Sequence, residues 1–366
     1  MNTFIPIDWY YPLYLNLCFF LVLFTLLHTR ILNMSEPKNL AFINVTGYVL
    51  LAFLIFHIGQ RPASHRFGDT INYYRTFQHY STGGEILTVN DYGWHVFMKT
   101  MASFSSIHTF FTLCAFFYIF PMYKISKVYF KDYWYYAFIM FVVSFSFWTY
   151  GVNGMRNGAA CSIFLWGFSY HKTNKVVMGL LFLVASFFHK TTLLPILAFL
   201  MTYIYNNPKF YFKGWLACIP LSLAMGGFWI SLFAGLGFGD DDRLSGYLTS
   251  EAAEGTFSST GFRWDFLFHS AFAVFAGWYF VFKKKLEDPV YNRLLNTYLI
   301  CNGFWILVIN ANYSNRFAYL SWFMMAIVIA YPFLTQRFFK NQHFLLGMVI
   351  LVYFAFTYFM YYFFWG

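Results

Sequence analysis

Two arginines and a histidine stand where the chain is otherwise apolar or built of small residues, Arg156, Arg316 and His189, and an aspartate, Asp69, stands in a polar segment. Arg156 lies in "GVNGMRNGAACS" (151–162), between two strongly apolar stretches. Arg316 follows "NANYSN" and opens another apolar run. Both would begin helices, where the dipole favours anions and disfavours cations. An unpaired arginine opposes that dipole, whereas a bound phosphate would satisfy guanidinium and helix end together. The plainer alternative is a snorkelling or carboxylate-paired arginine. His189, in "FFHKTTLLP", ends an apolar span. Such a histidine is either a hydrogen-bonded structural group or a proton acceptor near neutral pH.

Residues 60–92 hold a second concentration of polar groups. Asp69 can cap a short helix there, or face a polar substrate with Arg75 and His79 nearby. Tyr73, Phe77 and Tyr80 fall at i, i+4 and i+7, which predicts one apolar face of an interfacial helix. In "NDYGWH" (90–95), Asp91 can cap the next span or contribute to substrate binding, and Trp94 can mark the membrane interface. The outer loop 237–262 is rich in Gly, Ser and acid and reads as a lid. Its Asp240, Asp241 and Asp242 are consecutive, unlike the spaced ligands of a dedicated calcium loop, so no metal is expected. The five cysteines lie far apart in apolar stretches and suit neither a disulfide framework nor a metal set.

Positioning these groups falls to a membrane-embedded frame. Of the 366 residues, 60% are hydrophobic and 10% charged, against about 25% charged in soluble domains. The net charge of +10 is spread among loops and forms no basic stripe, which argues against nucleic acid. The N-terminus lacks a basic region ahead of its first apolar run, so that helix is expected to stay. Runs near the roughly 20 residues needed to cross a bilayer fall at 10–28, 41–59, 93–122, 134–150, 157–171, 176–190, 191–206, 214–236, 264–282, 294–311, 317–335 and 343–364. The reading is therefore an all-α polytopic membrane protein, a single membrane domain over 1–366 with about twelve transmembrane helices. The third run is expected to break at Ser105–Ser106, and the fifth to seventh are short. Alternate loops place fifteen of the 24 Lys and Arg on one side with four of the 14 acidic residues, a balance of +11 against −1. By the positive-inside bias both termini face outward.

Along the chain, "GDTINYY" (68–74), "NDYGWHVFMKTMASF" (90–104), "GMRNGAACSIFLWG" (154–167), "KVVMGLLFLVASFFHKTTLLPI" (175–196) and "NRFAYL" (315–320) occur in an order that resembles the EpsG-like branch of Wzy-type polysaccharide polymerases. The resemblance spans residues 68–320. It implies a bacterial inner-membrane enzyme that joins lipid-linked oligosaccharide units on the outer face, with a fold similar to GT-C-like lipid-linked-sugar glycosyltransferases. It carries site roles onto Asp69, Arg156, His189 and Arg316. The chemistry it implies is transfer of a growing glycan from undecaprenyl diphosphate to a hydroxyl of an incoming lipid-linked unit. Arg156 and Arg316 would bind the diphosphate, and His189, then Asp69, would serve as base. No cofactor or metal is required. A chain-length regulator and a flippase are the expected protein partners. Competing readings are an O-antigen ligase or related membrane glycosyltransferase, a transporter or flippase, and a membrane acyltransferase using His189.

Overall fold

The computed structural model describes residues 5–233, 261–311 and 314–364. It is 81% helical, with no strand among the described residues. Among the described residues, α-helices follow in this order: α1 Tyr10–Ile31, α2 Pro37–Gly59, α3 Thr70–Ser81, α4 Tyr92–Ala102, α5 Ile107–Phe130, α6 Trp134–Val142, α7 Phe147–Val152, α8 Met155–Ser169, α9 Lys175–Phe188, α10 Leu193–Ile204, α11 Pro208–Phe233, α12 Trp264–Trp278, α13 Pro289–Leu307, α14 Asn315–Trp322, α15 Met325–Thr335 and α16 Gln342–Phe364. Several begin where side chains replace missing helical partners. The Ser106 hydroxyl accepts from the Thr109 amide at 3.2 Å. Asn174 accepts from the Val176 and Val177 amides at 3.1 Å each. Asp288 accepts from Val290 at 2.8 Å, with Pro289 as the first helical residue.

Seven of these segments are long and apolar enough to cross a membrane: Ile7–Ile31, Pro37–Gly59, Ile107–Val142, Pro208–Phe233, Trp264–Lys283, Asn315–Thr335 and Gln342–Phe363. The shorter apolar segments Lys175–Phe188 and Lys190–Ile204 stand apart from them. The 14 residues of α9 reach about 21 Å, less than a hydrocarbon core of about 30 Å. The expected run 93–122 is broken between α4 and α5, through residues 103–106, where Ser105 and Ser106 were expected to interrupt it. The run 134–150 is divided as well, into α6 and α7.

The helices gather into two compact units, residues 1–192 with 333–366, and residues 193–332. In the first, α5 packs between α2, α6 and α8, α8 packs on α9, and α1 packs on α16. Its interior is strongly aromatic: Tyr14, Tyr118, Trp134, Tyr135 and Tyr136 are almost fully buried. Their hydroxyls find partners, as buried phenols require: Tyr118 donates to the Phe147 carbonyl at 2.9 Å, and Tyr14 donates to that of Val142. In the second unit α13 is central, packed against α10, α11 and α14. There the Trp215 indole donates to Asn302 Oδ1 at 2.7 Å, and Asn302 Nδ2 donates to the Ser321 hydroxyl at 2.9 Å.

The short helix expected after Asp69 is observed as α3, and its expected apolar face packs against protein. Tyr73 meets Trp94 edge-on at 5.7 Å, and Phe77 meets Phe110 at 5.6 Å. Tyr80 and the His95 ring nitrogen Nδ1 are 2.8 Å apart. The loop 237–262, with Asp240 to Asp242, lies outside the described residues except for its last two.

Candidate functional site

Residues from three separate motifs converge within the first unit. Asp91 heads α4 with a left-handed backbone, φ 51° and ψ 43°, which aspartate tolerates better than most residues. Its carboxylate makes no cap bond to α4. It turns instead to α8 and α9. Oδ2 lies 2.9 Å from Arg156 Nη1 and 3.0 Å from His189 Nδ1, and Oδ1 accepts the Lys190 amide at 2.8 Å. The reading of Asp91 as a cap for the following span is thus replaced by a bridge between segments 65 and 98 residues away.

The local structure explains why these groups meet. His189 is the extended residue that ends α9, and its N–H closes onto the Ala185 carbonyl. This leaves its ring and the Lys190 amide directed at Asp91. Gly93, two residues after Asp91, sits where a methyl would lie 2.7 Å from Phe187 Cβ and 3.0 Å from the Phe187 carbonyl oxygen. Only glycine allows α4 to approach the end of α9 this closely. Trp94, almost fully buried, packs between Tyr73, Phe110 and Phe188 at centroid distances of 5.7, 5.6 and 5.8 Å. It ties α3, α4, α5 and α9 into one support.

Asn153 joins Asp69 to the Arg156 segment. The Asp69 amide donates to Asn153 Oδ1 at 2.8 Å. Gly68, at φ 61° and ψ −123°, lies so close to the Asn153 amide group that a Cβ would collide with it. Such a backbone is essentially restricted to glycine. The Asp69 carboxylate makes no cap bond; it accepts from Asn72 Nδ2 at 3.2 Å and is partly exposed. Tyr73, one turn on, lies within the electrostatic reach of both Asp69 and Arg156.

The remaining expected site residues are placed differently. Arg75 is exposed on α3. His79 is ten residues from Asp69, about 15 Å along a helix, and its Nε2 is 3.0 Å from the Glu85 carbonyl. Arg316 belongs to the second unit, as the second residue of α14, and is exposed there. Arg61, in the polar segment 60–92, has a structural role. It is fully buried, donates to the Ile58 and Val152 carbonyls at the ends of α2 and α7, and stacks over Phe111 at 4.7 Å.

The cluster is graded in exposure: the Asp91 side chain is 3% exposed, His189 15% and Arg156 21%. Burial alone would raise the Asp91 carboxyl. The His189 hydrogen bond and charge, the Arg156 charge and the Lys190 amide outweigh burial and hold it down to about 2. Asp91 is therefore an anion across the physiological range. When neutral His189 donates its Nδ1 hydrogen to Asp91, its lone pair is on Nε2, and the hydrogen bond of the ring among the described residues is the one from Nδ1 to Asp91. The arrangement can orient an imidazole, stabilise its protonated form and present a guanidinium to an anion. His95, one turn beyond Asp91, lies in the field of both Asp91 and Arg156. Among the described residues no three His, Cys, Asp or Glu side chains form a metal-binding group.

Sequence reasoning placed Arg156 and His189 in one site with Asp69 and Arg316, and gave Asp91 only as a cap or a substrate contact, not as the group that joins Arg156 to His189. Asn153, Tyr73 and His95 were missed as members of the cluster. Each sits within four residues of a singled-out group, but local spacing carries no sign that distant segments meet.

Fold and site together describe a multi-pass helical membrane protein with a charged cluster gathered from α4, α8 and the end of α9. The chain matches the EpsG family model over residues 44–365 and belongs to that family. It matches no curated protein and no solved structure.

Proposed function

We propose that the protein is a polysaccharide polymerase of the bacterial inner membrane. It acts on undecaprenyl diphosphate-linked oligosaccharides, such as O-antigen, capsule or exopolysaccharide repeat units, at the outer face. The observation that carries this reading is the Asp91 carboxylate shared by His189 and Arg156, which sets a base beside an anion-binding group. Family membership supports it. A hydroxyl of the incoming unit attacks the anomeric carbon of the growing glycan, and its proton passes to His189 Nε2. The bond to the carrier diphosphate breaks, and the oxygen left on the diphosphate takes the electron pair. Arg156 stabilises that charge. Asp91 holds the imidazole in place and stabilises the imidazolium. Asp69 is the second candidate base, and Arg316 keeps the diphosphate-binding role given by the resemblance. Arg75 and His79 remain expected contacts for the sugar.

In this reading about twelve segments lie in the membrane, similar in plan to GT-C-like glycosyltransferases, and both termini face outward. A flippase supplies the lipid-linked units and a chain-length regulator limits the product. Deleting the gene in its host tests the assignment. Loss of polymer with accumulation of single lipid-linked units is the expected result. Accumulation of full-length lipid-linked polymer would identify a ligase instead.

A further inference from the structure

Asp91 Oδ2 serves two partners at once, 2.9 Å from Arg156 and 3.0 Å from His189. A guanidinium engaged by a carboxylate is less available to a phosphate. A carboxylate partly neutralised by a guanidinium is a weaker partner for an imidazolium. We propose that Asp91 is an internal stand-in for the substrate's diphosphate: the arriving diphosphate takes Arg156 from Asp91, and Asp91 is left to His189 alone. This deepens the polymerase reading and rests on it. The base then gains its full counter-charge only when the donor is bound, so proton abstraction is coupled to occupancy of the anion site.

The geometry favours this order of events. Asp91 is the innermost of the three groups and the other two are partly exposed, so an incoming anion meets Arg156 and His189 before it meets the carboxylate. Asp91 does not need Arg156 to stay in place. The Lys190 amide holds Oδ1 at 2.8 Å, His189 holds Oδ2, and the left-handed backbone at φ 51° fixes the direction of the side chain. Arg156 can therefore leave without disordering its former partner. Among the described residues, His95 on α4 and Tyr73 on α3 also lie in the field of Arg156, and Asp69 lies in that of Tyr73. None of these supplies to Asp91 the positive charge that Arg156 takes away.

The test is binding of inorganic pyrophosphate to the full-length protein in phosphatidylcholine nanodiscs. Removing the competing carboxylate with Asp91→Asn should tighten pyrophosphate binding about tenfold, the scale of a partly buried ion pair. The gain should vanish when Arg156→Ala is also present, and Asp91→Glu, which keeps the competitor, should show none. Weaker or unchanged binding in a folded Asp91→Asn protein would overturn the handover and leave Asp91 a structural brace. Nanodiscs containing phosphatidylglycerol separate the two sources of phosphate. An unchanged affinity assigns the site to a diphosphate carrier, and loss of the Asp91-dependent gain assigns it to phospholipid headgroups and overturns the proposal. Polymerisation by the wild type without the Asp91→Asn gain sinks the handover alone. The gain without polymerisation sinks the polymerase reading.

Discussion

Asp91 is the residue on which the site turns, because three groups from outside its own helix meet its two oxygens. Its carboxyl is held at about 2, below an ordinary value of 3.8. A depressed acid stabilises the fold above its unfolded value and loses that stabilisation as pH falls toward its folded one. Its contribution of roughly 2–3 kcal/mol should be intact near neutrality and vanish between about pH 4 and pH 2. Melting temperatures of the detergent-solubilised protein across this range should fall, and that component should be missing from Asp91→Asn. An identical acid profile in the variant would mean that other carboxylates dominate. Arg156 invites a second comparison. Lysine can still pair with Asp91, but it lacks the planar fork that matches phosphate oxygens. Arg156→Lys should therefore melt near the wild type while transfer falls at least about tenfold, the scale of a charge-assisted hydrogen bond. Full transfer would indicate that a point charge suffices.

At the scale of elements, the site depends on α4 lying hard against the end of α9. A methyl at Gly93 meets Phe187 backbone as well as side chain, so the helices must part for it to fit. Gly93→Ala should cost roughly 1–3 kcal/mol, as overpacking does, and should reduce transfer by drawing Asp91 away from His189. Wild-type activity in a folded Gly93→Ala protein would show that the close approach is dispensable. Much of this was legible in the sequence. The apolar runs located most helices, and Ser105–Ser106 marked the break between α4 and α5. What the sequence hid was pairing at a distance. Asp91 fits the local rule for a helix cap, and only its left-handed backbone turns the carboxylate away from its own amides. Likewise Tyr73, Phe77 and Tyr80 show an apolar face, but not that Trp94 and Phe110 cover part of it. A periodicity identifies a face to be buried without saying what buries it. The lid expected at 237–262 remains a sequence reading.

For the whole molecule, charge asymmetry is the argument for the proposed orientation, in which the cluster faces outward. Four of the five cysteines are buried, so an impermeant thiol reagent should report mainly on introduced ones. Glu85→Cys, in the exposed segment before Asp91, should be labelled in spheroplasts, and Lys172→Cys, in the turn after α8, should not. The reverse pattern would place the cluster on the side where lipid-linked units are assembled, before export. The central claim is that His189, oriented by Asp91, takes the acceptor proton in a glycan transfer. The most direct measurement is chain extension by purified protein in nanodiscs supplied with undecaprenyl diphosphate-linked repeat units, normalised to folded protein. The wild type should build a ladder of products, and His189→Ala should lose on the order of 10²–10⁴-fold in turnover while still binding pyrophosphate. An undiminished ladder from His189→Ala would contradict the account.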